Sequence, residues 1–122
     1  MAKILLVDDY DASRQLFTDA INSVSNHEVV STESPLKAID LIDSSIAVLV
    51  TDYQMPEMCG TVLAKKLRKQ RPELPVIIIS GAIHLAKKAA EKINLHNIMF
   101  YAKNGESNIM SFVSLVEQMM QT

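Results

Sequence analysis

Four polar sites in this chain each follow a short apolar run within one or two residues. Asp8 and Asp9 follow the run at 4–7, Asp52 the run at 46–50, Ser80 and Gly81 the run at 76–79, and Lys103 the run at 98–101. Gathered at one place, three carboxylates would repel one another and call for a cation. A few hard oxygen ligands favour Mg²⁺, which keeps several waters and shares phosphate readily. A carboxylate beside such an ion can attack phosphorus and form an aspartyl phosphate. The ion and Lys103 would neutralise charge on the phosphoryl oxygens. Ser80 would donate a hydrogen bond to one of them, and Gly81 would leave room for the group. Each residue alone has a plainer reading. An Asp after a strand commonly caps a helix, Ser-Gly marks a turn, and a lysine is usually solvated. Their shared position, each at the end of an apolar run, carries the chemical reading.

That position depends on the elements. Short runs rich in Val and Ile at 4–7, 46–50, 76–79 and 98–101, with a weaker one at Val29-Val30, suit buried parallel strands. Helical spacing lies between them. Ala12, Leu16, Ala20, Ile21 and Val24 recur at three to four residues, as do Leu36, Ile39 and Ile42. Val62, Leu63 and Leu67 form a third stripe, with Lys65, Lys66, Arg68 and Lys69 opposite. A weaker stripe runs from His84 to Ile93, and a clear one holds Ile109, Phe112, Val113, Val116 and Met120. Ser34-Pro35 predicts an N-cap with proline at N1. Five alternating strand–helix units imply a parallel sheet with helices on both faces. Ligands bind such a sheet outside the carboxyl ends of its strands, where all four polar sites fall.

The chain's 122 residues, 48% hydrophobic with a net charge of −2, predict a single domain over 1–122 with one real core. Nothing in that balance points to direct nucleic-acid contact or a membrane surface. One cysteine, Cys59, excludes a disulfide framework and predicts a reducing, cytoplasmic setting. No signal peptide or membrane span is legible. His27, His84 and His96 are too scattered for a metal trio and read as surface residues. Most of the seven methionines read as core filler, and an exposed Met110 or Met119 would mark a partner surface.

Val7-Asp8-Asp9 with Arg14, then Thr51-Asp52-Tyr53-Gln54-Met55-Pro56-Glu57-Met58-Cys59-Gly60, resemble the response-regulator receiver domain of two-component systems, here of the single-domain chemotaxis type. The resemblance runs from Lys3 to about Gln121. It implies a flavodoxin-like (βα)5 fold, a five-stranded parallel sheet in the order 2-1-3-4-5. It implies Asp52 as phosphoacceptor and Mg²⁺ held by Asp9 directly, by Asp8 through water, by Asp52, and by the backbone carbonyl of Gln54. Ser80 and Lys103 would contact the phosphoryl group, and Ser80 with Phe100 would form the switch. A repacked face of the fourth helix, fifth strand and fifth helix would then bind partners.

The implied phosphoryl donor is a histidine kinase or phosphotransfer protein, and the output a downstream protein or a fused output domain. The chain would catalyse only its own phosphorylation and dephosphorylation, a signalling protein before an enzyme. Gln54 and Ala82 would lie near the attacking water in the second of these steps. Homodimerisation through the fourth to fifth helix is left open. A degenerate receiver acting only as an interaction module is the alternative. Met1, with Lys3 opening the first strand, reads as a native N-terminus; Thr122 falls where the fifth helix finishes, which suits a stand-alone adaptor and a receiver from a longer regulator or hybrid kinase equally. A Mg²⁺ phosphohydrolase is disfavoured because Gln54 stands where such enzymes place a second, proton-transferring Asp. Two positions depart from the family. Asn104 replaces the usual proline after the lysine, which leaves the aim of Lys103 open, and Cys59 replaces an Asp. Tyr101 beside Phe100 is the competing switch aromatic.

Overall fold

Strand and helix alternate through the whole chain because apolar β-branched runs alternate with 3.6-residue patterns. In the computed structural model, which describes residues 2–103 and 109–121, the elements are β1 (Lys3–Val7), α1 (Asp11–Val24), β2 (Glu28–Thr32), α2 (Pro35–Leu41), β3 (Ile46–Asp52), α3 (Gly60–Leu67), β4 (Val76–Ser80), α4 (Ile83–Lys92), β5 (Ile98–Ala102) and α5 (Ile109–Met120). The strands form one parallel sheet in the order β2-β1-β3-β4-β5. The inner strands β1, β3 and β4 are covered on both faces, which is why they read as unbroken apolar runs. The edge strands β2 and β5 are only partly buried and carry the weaker patterns.

Side chains alternate across each strand, so the sheet divides the core in two. On one face Leu5, Val7, Leu49 and Ile78 meet Ala38, Leu63, Leu67, Ala86 and Ala90 of α2, α3 and α4. On the other Ile4, Leu6, Val50 and Ile79 meet Phe17, Ile21, Phe112 and Val116 of α1 and α5. Ser34 caps α2 as predicted, its hydroxyl accepting from the Lys37 N–H at 3.3 Å with Pro35 at the first helical position.

Three expectations about side chains need correction. In α1 the buried stripe is Ser13, Phe17, Ala20 and Ile21, while Leu16 and Val24 are 54% and 47% exposed. The rotation follows from an aromatic trio. Phe17, Tyr101 and Phe112 meet with ring centroids 4.6 to 6.2 Å apart, and this pulls Phe17 rather than Leu16 inward. Leu36 is likewise exposed, and Pro35 and Ala38 make the buried side of α2. His27 is not a simple surface residue. Its Nδ1 accepts from the Ala2 N–H at 3.0 Å and its Nε2 lies 2.9 Å from Glu117, tying the start of the sheet to α5. His84 and His96 are exposed. Met119 is buried, whereas Met110 is 44% exposed.

Candidate functional site at the carboxyl edge of the sheet

After β1 the chain moves outward to β2, then returns to lay β3 on the other side of β1. The crevice between the carboxyl ends of β1 and β3 is therefore the topological switch point. Backbone bonds carry the ladder beyond the strands: Asp8 N–H to Thr32 O at 3.1 Å, Tyr53 N–H to Ile79 O at 2.8 Å, and Lys103 N–H to Ser80 O at 2.8 Å. They tie the end of β1 to β2 and the ends of β3, β4 and β5 to one another, and the β1–β3 register that pairs Val7 with Thr51 joins the two groups at one edge.

Asp8, Asp9 and Asp52 each offer a carboxylate oxygen, all within 4.8 Å of one another. Asp8 has no exposed surface, Asp52 is 8% exposed, and Asp9 faces solvent. Lys103 Nζ donates to Asp8 Oδ2 at 3.1 Å and to Asp52 Oδ2 at 3.2 Å. Its aim is thus set toward both carboxylates with Asn104 following it. Asn104 and the rest of that loop lie outside the described residues.

One ammonium against three carboxylates leaves the site with two uncompensated negative charges. Burial pushes the Asp52 carboxyl above its ordinary range, and the charge of Asp8 adds to this. Lys103 and the Tyr53 N–H oppose the shift without cancelling it. A hard divalent cation answers both the charge and the donor type, so this residue set fits Mg²⁺.

Asp8 is held more firmly than its sequence suggested. Its Oδ1 accepts from the Tyr10 N–H at 3.0 Å, and its Oδ2 accepts from the buried Ser13 hydroxyl at 2.5 Å as well as from Lys103. Arg14 donates to the Asp8 carbonyl at 2.8 Å and pairs with Asp11 at 2.6 Å. Ser13 was missed from the sequence. Its only signal was a polar side chain four residues before Phe17, on the same helical stripe.

The remaining site residues are more loosely gathered. Ser80 is buried, and its Oγ accepts from the Ala82 N–H at 2.9 Å. Gln54 is exposed on the loop after β3. Gly81 has open space where a Cβ would stand, so packing does not demand a glycine there. Gly60 is different: a Cβ would lie 2.2 Å from the Asp52 carbonyl oxygen. Its N–H donates to Tyr53 O at 2.7 Å, folding the loop back over the end of β3. Cys59 sits at the start of α3, its sulfur 3.3 Å from Thr61 Oγ1, as a helix-entry residue. Phe100 and Tyr101 point to opposite faces. Tyr101 is locked in the aromatic trio, and Phe100 is half-buried on the α4 side with Lys87 Nζ 5.6 Å from its ring centre.

A doubly wound sheet with an acidic cluster and a lysine at its switch point defines a class of small signalling modules. The family model described as the response regulator receiver domain matches residues 4–111, and this chain belongs to that family. It is similar to a chemotaxis protein CheY homologue of Campylobacter jejuni, 33% identical over 82 residues, which are 64% of this chain and 63% of the relative. It is also similar to the protein-glutamate methylesterase/protein-glutamine glutaminase of Escherichia coli K12, 42% identical over 81 residues, 65% of this chain and 23% of that protein. The match thus spans less than two thirds of either relative. Among solved structures, the receiver domain of the hybrid histidine kinase CckA superposes with a TM-score of 0.79 at 25% identity, covering 98% of this chain and 100% of that one. The non-phosphorylated HemR receiver domain of Leptospira biflexa gives 0.85 at 20% identity, covering 100% and 96%. Phosphorylation-based two-component signalling is the function of this family. Among the described residues no helix is long and apolar enough to cross a membrane.

Proposed function

We propose that Asp52 accepts a phosphoryl group from a phosphohistidine on a histidine kinase or phosphotransfer protein. The observation that carries this reading is the convergence of Asp8, Asp9, Asp52 and Lys103 on one crevice. An Asp52 carboxylate oxygen attacks phosphorus, the P–N bond to the donor imidazole breaks, and its electron pair returns to the ring nitrogen. Mg²⁺ would be held by Asp9, by Asp8 through water, by Asp52 and by the Gln54 carbonyl, and would supply charge neutralisation on the phosphoryl oxygens. Lys103 exchanges its contact with Asp52 for a phosphoryl oxygen and keeps Asp8. A bound cation would oppose the burial that raises the affinity of Asp52 for a proton and so favour the ionised nucleophile.

The switch uses Ser80 and Phe100. The Ser80 hydroxyl accepts from Ala82 and still has a proton to donate, so a turn toward a phosphoryl oxygen draws the Ala82 turn with it. Phe100, half-buried beneath α4, is free to follow, while Tyr101 is clamped between α1 and α5. Met99 and Met110, both exposed, supply adaptable apolar surface on the α4–β5–α5 side for a downstream protein or fused output domain. The chain then catalyses only its own phosphorylation and hydrolysis.

Intact mass after incubation with acetyl phosphate tests this. A gain of one phosphoryl group that needs Mg²⁺ and is absent in Asp52→Asn is expected. No gain in the folded protein would make the chain a degenerate receiver.

A further inference from the structure

Charge is segregated in this molecule. Residues 60–97 hold eight of the 12 Lys and Arg and two of the 14 Asp and Glu, a net charge of +6, which leaves −8 on the rest. Outside this stretch Arg14, Lys37 and Lys103 are paired with carboxylates, and among the described residues Lys3 is the exception. Inside it, among the described residues, none of the eight basic side chains forms an ion pair. Lys65, Arg68 and Arg71 donate to backbone carbonyls, and Lys87 lies over Phe100. Lys66, Lys69, Lys88 and Lys92 are exposed, and their side chains have no polar partner among the described residues.

The cations form one surface. Lys65 reaches the carbonyl of Ile93 just beyond α4, and Arg68 the carbonyls of His96 and Asn97. Lys65, Arg68, Lys69, Leu95 and His96 thereby line a shallow depression between the end of α3 and the segment that follows α4. On α4, Ala86 and Ala90 face the core, so Lys88 between them faces away. Leu85, 48% exposed, stands three residues before Lys88 and seven before Lys92, so all three share one side of the helix.

We propose that the α3–α4 face docks a short acidic amphipathic segment of a partner protein, with carboxylates on the lysines and an apolar side chain on Leu85. Unpaired lysines around an exposed leucine match that chemistry. A nucleic acid fits less well. Both arginines, the bidentate phosphate and base readers, are occupied by carbonyls, and no Phe, Tyr or Trp lies between residues 60 and 97 to stack a base. A lipid surface would need a broader apolar face than Leu85 alone provides. This surface needs no phosphorylation, and its α3 half lies apart from the α4–β5–α5 face.

The test is fluorescence anisotropy with a labelled 14-residue helical peptide of Glu, Leu and Ala, its Glu residues on one side. A Lys69→Glu/Lys88→Glu/Lys92→Glu variant should fold unchanged by circular dichroism, since these side chains have no partners to lose. It should bind at least 10-fold more weakly than the unmodified chain. A Lys3→Glu/Lys37→Glu control should stay within twofold. Amide shifts in nuclear magnetic resonance should cluster on α3 and α4. Absence of binding up to 1 mM peptide in 50 mM salt, equal binding by the triple variant, or tighter binding of a 20-base-pair duplex or of anionic phosphatidylserine vesicles would each overturn the proposal.

Discussion

The two edges of the sheet use charge in opposite ways. At the carboxyl edge three carboxylates cluster, two of them on one ammonium, and the balance stays negative. At the amino edge Arg68 donates to the carbonyls of Leu74, His96 and Asn97, and Arg71 to those of Asp43 and Ile46. These two guanidiniums join three of the loops beneath the sheet and, among the described residues, form no ion pair with a carboxylate. The first edge stores electrostatic tension that a cation and a phosphoryl group relieve. The second satisfies backbone groups and holds the scaffold still. Reactivity and rigidity are thus kept at opposite ends of the same strands.

Substitutions at each edge should separate these roles. Asp52→Asn should abolish incorporation of the phosphoryl group, read as intact mass, and Lys103→Ala should slow it by orders of magnitude with the fold kept. Mg²⁺ at 100 times its dissociation constant should stabilise the protein by about 2.7 kcal/mol, seen as a raised melting temperature that Asp9→Asn largely removes. Arg68→Ala should cost about 2 kcal/mol in urea unfolding, since a charged donor to several partly buried carbonyls is lost, while Mg²⁺-dependent phosphorylation of the folded fraction continues. Loss of phosphorylation there would show that the two edges are coupled. In metal-free buffer Asp52→Asn should raise the melting temperature, because burial disfavours the ionised carboxylate it replaces. The smallest effect sharpens the site itself. If Gln54 orients the attacking water, Gln54→Ala should change the dephosphorylation rate a few-fold, and an unchanged rate removes that role.

Much of the acidic edge was legible because each residue lies at, or within two residues of, the carboxyl end of an apolar strand. Asp8, Asp9, Asp52 and Lys103 needed only the strand ends and the parallel order to be brought together. Ser13 was not legible, since a hydroxyl inside a helix looks like any polar-face residue until the carboxylate it serves is seen. The rotation of α1 was equally hidden. Leu16 and Phe17 are both apolar, and only the distant Tyr101 and Phe112 decide between them. The basic face escaped for another reason: a net charge of −2 averages +6 against −8.

Lys103 and Asp8, in contact through a salt bridge, stand 95 residues apart in the chain. During synthesis the acidic pair emerges from the ribosome well before its counter-charge, 95 residues further along the chain. A partly made chain therefore lacks the ammonium that completes the crevice, and chemical competence arrives only with the fifth strand. Parallel strands joined through helices make such long-range closure slow relative to local helix formation. A truncation before residue 103 should accordingly leave a protein that is chemically silent.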